Sequence, residues 1–330
     1  MLAFILRRLM QSVAVLLTVG IVSFSLFRYV GDPINSMVGQ DTPADEREAL
    51  REKLGLNDPA PVQFVRFIAN AAQGKFGLSY RTSEPVGKLI LERMPATLEL
   101  SFCAAVFALF VGVPMGVYTG LYPRHWSSRA LQAISLVGVS LPTFLIGILL
   151  ILLFAVKLHW LPSFGRGETV TIGWWTTNFL TVKGWEALIL PSITLGLFQL
   201  TLIMRLVRSE MLEVMRTDYI KFARARGLAN RAINFGHALK NTLVPVITVA
   251  GLQLGALVAF SIVTETVFAW PGMGQLFIQS VQFSDIPVMA AYLLLIGLLF
   301  VLINMVVDLL YFAVDPRLRG QAGLSRTAGH

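Results

Sequence analysis

Four histidines, nineteen carboxylates and a single cysteine are the groups of this 330-residue chain with the widest chemical reach, and their spacing supports little catalysis. His125, His159, His237 and His330 are scattered, with no H-E-x-x-H or comparable ligand spacing, which argues against a zinc hydrolase. No G-x-x-x-x-G-K-[ST] loop occurs, so the chain cannot cradle ATP phosphates in that manner. Cys103 stands alone in an apolar run and reads as a packing residue, with no intrachain disulfide open to it. His237 reads as an interfacial hydrogen-bonding residue. The string with a chemistry of its own is Asp218-Tyr219-Ile220-Lys221-Phe222-Ala223-Arg224-Ala225-Arg226-Gly227. It has an acidic residue for a first helical turn, cations toward the end and a glycine for the stop. At helical spacing Tyr219, Phe222 and Ala223 fall on one side and Lys221 and Arg224 toward another. Such a short helix can enter an apolar cleft with an acidic rim, and small Ala223 and Ala225 would permit close approach. The plainer alternative is an inert cationic loop that only fixes topology.

The elements around this string are set by composition. Hydrophobic residues make up 55% and charged residues 14% of the chain, and the mean hydropathy is +0.68, too apolar for an ordinary soluble domain. Five runs, 100–122, 130–156, 187–204, 241–264 and 286–307, carry no Asp, Glu, Lys, Arg or His, and a sixth, 9–30, carries only Arg28. Each is about a bilayer long. The expected fold is an all-α polytopic membrane protein with six transmembrane helices. The first run is longer than a usual signal-peptide core and reads as a retained span.

Lys and Arg placement orients the bundle. With the N-terminus inside, the cytoplasmic side collects Arg7 and Arg8, Arg124 and Arg129, eight cations from Arg205 to Lys240, then Arg317, Arg319 and Arg326. Both termini are therefore expected to be cytoplasmic. The same distribution accounts for the charge of +8 without nucleic acid, because no basic stripe lies beside stacking aromatics. The units expected are an N-terminal segment and first span (1–30), an extracytoplasmic segment (31–95), a core (96–314) with a cytoplasmic stretch at 206–240, and a cytoplasmic tail (315–330). Phe64, Val65, Phe67 and Ile68 are candidates for a small surface-lying helix.

Prolines 114, 142, 191 and 245 and glycines 112, 116, 138, 147, 196, 251 and 255 interrupt the spans and are expected to face other helices more than lipid. Arg28, Glu99, Lys157, Glu186, Arg205, Glu265 and Asp308 are the ionisable residues near spans. All but Asp308 are expected near hydrated span ends, as structural pairs or caps. Glu265, just before the Trp270-Pro271-Gly272 turn, is the one candidate for a translocation path. No proton-relay chain and no internal repeat is visible, which disfavours a two-halved secondary carrier.

DYIKFARARGLANR at 218–231, with HALKNTLVPV at 237–246, resembles the cytoplasmic EAA loop of binding-protein-dependent ABC importer permeases, in the version of the dipeptide, oligopeptide and nickel group. Ala223 matches the last alanine of the triplet and Gly227 its glycine, whereas Lys221 and Phe222 stand where the general motif has Glu and Ala. The interval from Gly227 to Pro245 is also longer than in the general motif. Both departures resemble the peptide-type branch. LRRL at 6–9, GDP at 31–33, LGLN at 54–57, GKFGLS at 74–79, RMPATLEL at 93–100, LPS at 190–192, RSEMLEV at 208–214, TETVFAWPGMG at 264–274 and VDPRLRG at 314–320 extend the similarity over nearly the whole chain.

The resemblance implies a type I ABC importer permease fold and alternating access. It implies that Asp218, Tyr219, Lys221, Phe222, Ala223, Arg224, Ala225 and Gly227 form a coupling helix. The implied partners are a second homologous permease, two cytoplasmic ATP-binding-cassette ATPases, an extracytoplasmic solute-binding protein and membrane lipid. ATP and Mg would sit on the ATPases, with no cofactor in this chain. Solutes handled by such permeases include dipeptides, longer peptides, glutathione, opines and nickel chelates. The competing readings are an ion- or proton-coupled carrier acting alone and an integral membrane enzyme.

Overall fold

The computed structural model describes residues 2–29, 34, 43–53 and 55–314. The Gly31-Asp32-Pro33 turn, Leu54, the tail at 315–330 and the side chain of Asp308 lie outside the described residues. In chain order the helices are α1 (Leu2–Tyr29), α2 (Ala44–Lys53), α3 (Ala60–Ala72), α4 (Val86–Leu121), α5 (Trp126–Ser140) and α6 (Thr143–Leu150), the last running on as a π-helical Ile151–Lys157. After a hairpin come α7 (Val182–Val214), α8 (Asp218–Ala225), a π-helical Ala232–Ala238 leading into α9 (Leu239–Val267), α10 (Met273–Gln282) and α11 (Ile286–Val314).

Among the described residues five helices are long and apolar enough to cross a membrane: α1, α4, α7, α9 and α11. The sixth run, 130–156, is not a straight span. It is α5 and α6, bent by 111° at a short break. Pro142 causes it, because the ring removes an N–H and drives the preceding residue out of the helical region; Leu141 is accordingly extended at φ −103°, ψ 141°. Prolines 114, 191 and 245 are absorbed inside their helices.

The strict all-α expectation needs a second correction. A two-stranded hairpin, β1 (Val170–Ile172) and β2 (Trp175–Thr177), pairs antiparallel with Ile172 opposite Trp175. Gly173, at φ +64°, supplies a left-handed residue of the two-residue turn.

The bundle is built on α4 against α7, two parallel helices in near-continuous contact. Ala104, Ala108, Gly112, Gly116 and Gly120 recur every fourth residue on α4 and are all buried, so one ridge of small residues lets the backbones approach. A Cβ placed on Gly116 would lie 2.7 Å from the Met204 carbonyl oxygen, too close without displacement of the helix. Their inner ends continue into a core of Val207, Met211, Ile220, Ala223, Ile233 and Ala238, which carries helix packing straight into the polar end of the chain. At the other end α3 lies against α1, with Phe24 5.5 Å from Phe64 and 5.9 Å from Phe67 between ring centroids. Val65 stays exposed.

Candidate functional site

The stretch 206–240 is mostly ordered helix. Residues up to Val214 complete α7, a turn at Met215–Thr217 closes with Arg216 N–H donating to Glu213 O at 3.0 Å and Thr217 N–H to Val214 O at 3.1 Å, and α8 starts at Asp218. Asp218 sits in the first turn, where a negative charge meets the helix dipole. Lys221 Nζ lies 2.8 Å from its Oδ1, and that hydrogen bond and charge hold the Asp218 carboxyl below the usual carboxylate range.

α8 ends in a Schellman closure. Leu228 N–H donates to Ala223 O at 3.3 Å and Gly227 N–H to Arg224 O at 2.9 Å, with Gly227 left-handed at φ +77°. Nothing lies within 4 Å of where a Gly227 Cβ would stand, so the glycine answers a backbone need and not a shortage of space.

The two faces of α8 are divided differently from the sequence expectation. Ile220 is fully buried and Ala223 is 7% exposed, both inside the α4–α7 core. Ala223 therefore packs on its own chain. The outward side carries Tyr219, 43% exposed, and Phe222, 63% exposed, together with exposed Lys221, Arg224, Ala225 and Gly227. Arg226 holds its guanidinium 5.6 Å from the Phe222 ring centroid. Asn241 of α9 donates through Nδ2 to the Tyr219 hydroxyl at 2.7 Å, so α8 is fastened to α7 by apolar packing and to α9 by a hydrogen bond.

Among the described residues the opposite end of the bundle holds three buried carboxylates, Glu265, Glu99 and Asp285, and the first two bear on the expectations above. Glu265 was expected at a hydrated span end, yet it is 0% exposed. Its Oε1 accepts from the Thr97 hydroxyl at 2.7 Å and from Ser261 at 3.0 Å, and its Oε2 from Gln275 N–H at 2.9 Å. Thr97 Oγ1 in turn accepts from Met273 N–H at 2.8 Å, and Trp270 Nε1 donates to Ala96 O at 3.0 Å. These bonds tie the 268–275 turn to α4. They place Glu265 within the packing between helices.

Glu99 is the second, and its partner comes from a distant loop. Arg166, from the loop before β1, donates through Nη2 to Glu99 Oε2 at 2.9 Å. Trp175 Nε1 donates to Glu99 Oε1 at 3.0 Å and Asn178 N–H to Oε2 at 3.1 Å. Arg166 is satisfied further by Thr176, through its hydroxyl at 2.7 Å and its carbonyl at 2.6 Å. Burial draws the Arg166 pKa down from its ordinary value, and hydrogen bonding and charge from Glu99 oppose that. The only trace in the sequence is one arginine in a glycine-bracketed loop, with no spacing rule that would point to Glu99. Among the described residues no three His, Cys, Asp or Glu side chains converge as a metal site.

The profile of the binding-protein-dependent transport system inner membrane component matches residues 112–320, and that of its N-terminal part matches residues 1–101. A dipeptide transport system permease protein of Alkalihalophilus pseudofirmus is 38% identical, covering 97% of this chain and 100% of the relative. A di/tripeptide transport system permease protein of Pseudomonas aeruginosa is 40% identical, covering 97% and 100%. A glutathione transport system permease protein of Escherichia coli is 37% identical, covering 97% and 99%. Among solved structures, an inward-facing methionine ABC transporter aligns with TM-score 0.57 at 24% identity, over 71% of this chain and all of that one, a likeness of fold.

Proposed function

The chain belongs to the family of binding-protein-dependent transport system inner membrane components, a multi-pass permease subunit of an ABC importer in the bacterial inner membrane. From that premise we propose that α8 is the element through which partner ATPases drive it. The observation that carries this reading is the division of α8 into two faces. Ile220 and Ala223 are locked into the α4–α7 core while Phe222 and Tyr219 stand exposed beside Lys221 and Arg224. A large exposed aromatic on a rigidly seated helix is what an apolar cleft on another protein would grip. A displacement of α8 passes to α7 through shared packing and to α9 through Asn241.

The broken α5–α6 pair counts in this reading as one crossing, which makes six spans and puts both termini on the cytoplasmic side with α8. Asp218, Tyr219, Lys221, Phe222, Arg224, Ala225 and Gly227 form the docking element, and Ala223 is its internal anchor. The partners are a second homologous permease, two ATPases carrying ATP and Mg, and an extracytoplasmic solute-binding protein. Moving a two-state transporter from mostly closed to mostly open takes roughly 5.5 kcal/mol of differential contact, which nucleotide binding at the partners would supply. The substrate class is a di- or tripeptide or a peptide-like thiol such as glutathione, supported by the names of the relatives. None of those relatives favours an ion-coupled carrier acting alone.

The decisive experiment reconstitutes the assembled complex in proteoliposomes and measures solute uptake with internal ATP, against this chain alone with an ion gradient. ATP-dependent uptake is expected only from the complex. Accumulation by the isolated chain on a gradient would overturn the reading.

A further inference from the structure

Between α5 and α7, at the end of the bundle that carries α8, lies a cavity of about 430 Å³ walled by Gln132 and Ser135 of α5 and by Arg205, Arg208 and Ser209 of α7. Its chemistry is cationic without compensation. Arg208 Nε is buried with no hydrogen-bond partner, and among the described residues neither Arg205 nor Arg208 makes an ion pair. Glu210 and Glu213, the carboxylates nearest in sequence, pair with neither. The neutral polar groups of α5 are already engaged: Gln132 Nε2 donates to Ser128 O at 2.9 Å and Ser135 Oγ to Gln132 O at 2.8 Å. A guanidinium nitrogen removed from water and left unpaired is costly, so the site calls for an anion from outside the chain.

The surroundings narrow the anion. Two guanidinium forks on successive turns of one helix suit the oxygens of a phosphate group. Leu136 and Leu212 complete the cavity wall. Leu136 continues into an exposed apolar surface of α5 formed with Val137 and Val139, all more than 40% exposed. Trp126, 74% exposed at the start of the same helix, is of the type that settles at the membrane–water interface, the depth at which phosphodiesters lie.

We propose that this cavity holds the phosphate of an anionic membrane phospholipid, gripped by Arg205 and Arg208, with its acyl chains along the Leu136–Val139 side of α5. The lipid would brace α5 against α7 beside the α8 attachment. This assignment does not depend on which solute is carried or on where the ATPases dock.

The test is native mass spectrometry of the detergent-purified complex after exposure to dioleoylphosphatidylglycerol. The parent complex is expected to retain a lipid adduct. Loss of a charge-assisted hydrogen bond should weaken retention roughly tenfold in Arg208→Gln, with Arg208→Lys in between. Arg205→Gln, at an exposed position, is expected to weaken retention in the same direction and keeps the test informative should the Arg208 variants assemble poorly. Excess inorganic phosphate, which has no acyl chains, is expected to leave the lipid in place. Equal retention by parent and variants would overturn the assignment. So would displacement by inorganic phosphate, which would give the cavity to a soluble anion, or a parent complex that carries no adduct.

Discussion

Arg166 and Glu99 meet at 2.9 Å with side chains only 9% and 2% exposed, and this pair joins the loop before the hairpin to α4 across 67 positions of sequence. Breaking one side of such a pair costs more than removing both, because the survivor stays buried and unmatched. Arg166→Met is expected to destabilise the protein by about 3–5 kcal/mol, while Glu99→Gln with Arg166→Met recovers most of the loss. Thermal unfolding of the purified complex in detergent checks both; a double variant no better than the single would remove the ion pair from the account.

Phe222→Ala tests the outward face of α8. The ring is 63% exposed, so its loss should leave thermal stability almost unchanged. If the ring is a central anchor in a partner cleft, truncation costs about 2 kcal/mol or more, roughly thirtyfold in association. Pull-down of the ATPases against added detergent-solubilised competitor reads that change. Unchanged association would move the grip elsewhere.

Ala223→Asp is expected to act by a different route. The position is 7% exposed and sits among Val207, Met211 and Ile233, where an unpaired carboxylate costs several kcal/mol. Ala223→Asp should therefore lower the melting temperature and the yield of the permease itself, with ATPase association failing as a consequence. A variant that melts like the parent yet loses the ATPases would return Ala223 to the docking surface.

Gly227→Ala isolates backbone strain, because φ +77° is unfavourable for a side chain and no atom lies within 4 Å to clash. A cost of about 1–2 kcal/mol is expected. Amide exchange in 218–225 should then quicken by roughly fivefold to thirtyfold. Gly227→Asn should show less, since asparagine tolerates this region better. Equal exchange in all three proteins would contradict a strained closure.

Glu265→Ala removes the acceptor of Thr97, Ser261 and the Gln275 N–H together. Leaving several buried donors unsatisfied costs about 1–3 kcal/mol each, so the expected outcome is reduced thermal stability and less assembled complex. Uptake normalised to assembled complex is expected to stay near the parent value. A specific fall in that normalised rate, with stability intact, would instead favour a place on the translocation path.

Sequence alone determined what the solvent of this chain is and where its helices lie. Runs such as 286–307, apolar and uncharged for a bilayer's length, cannot be satisfied in water and leave the backbone only helical hydrogen bonding in lipid. The stop at Gly227 was equally legible, because a left-handed closure after a short amphipathic stretch is a local requirement that glycine meets. Tertiary structure alone decided what each polar group faces. Ile220 and Ala223, not Tyr219 and Phe222, turned inward because the inner ends of α4 and α7 offer an apolar surface at that angle, which helical periodicity does not specify. Pro142 is visible as an interruption, and it ends α5 at an extended Leu141, but the size of the bend, 111°, is not written in the local sequence. Glu99 with Arg166 and Glu265 with Thr97 are partners separated by 67 and 168 positions; only the packed bundle brings such groups within reach, since a hydrogen bond acts over a few ångströms and carries no trace in local sequence.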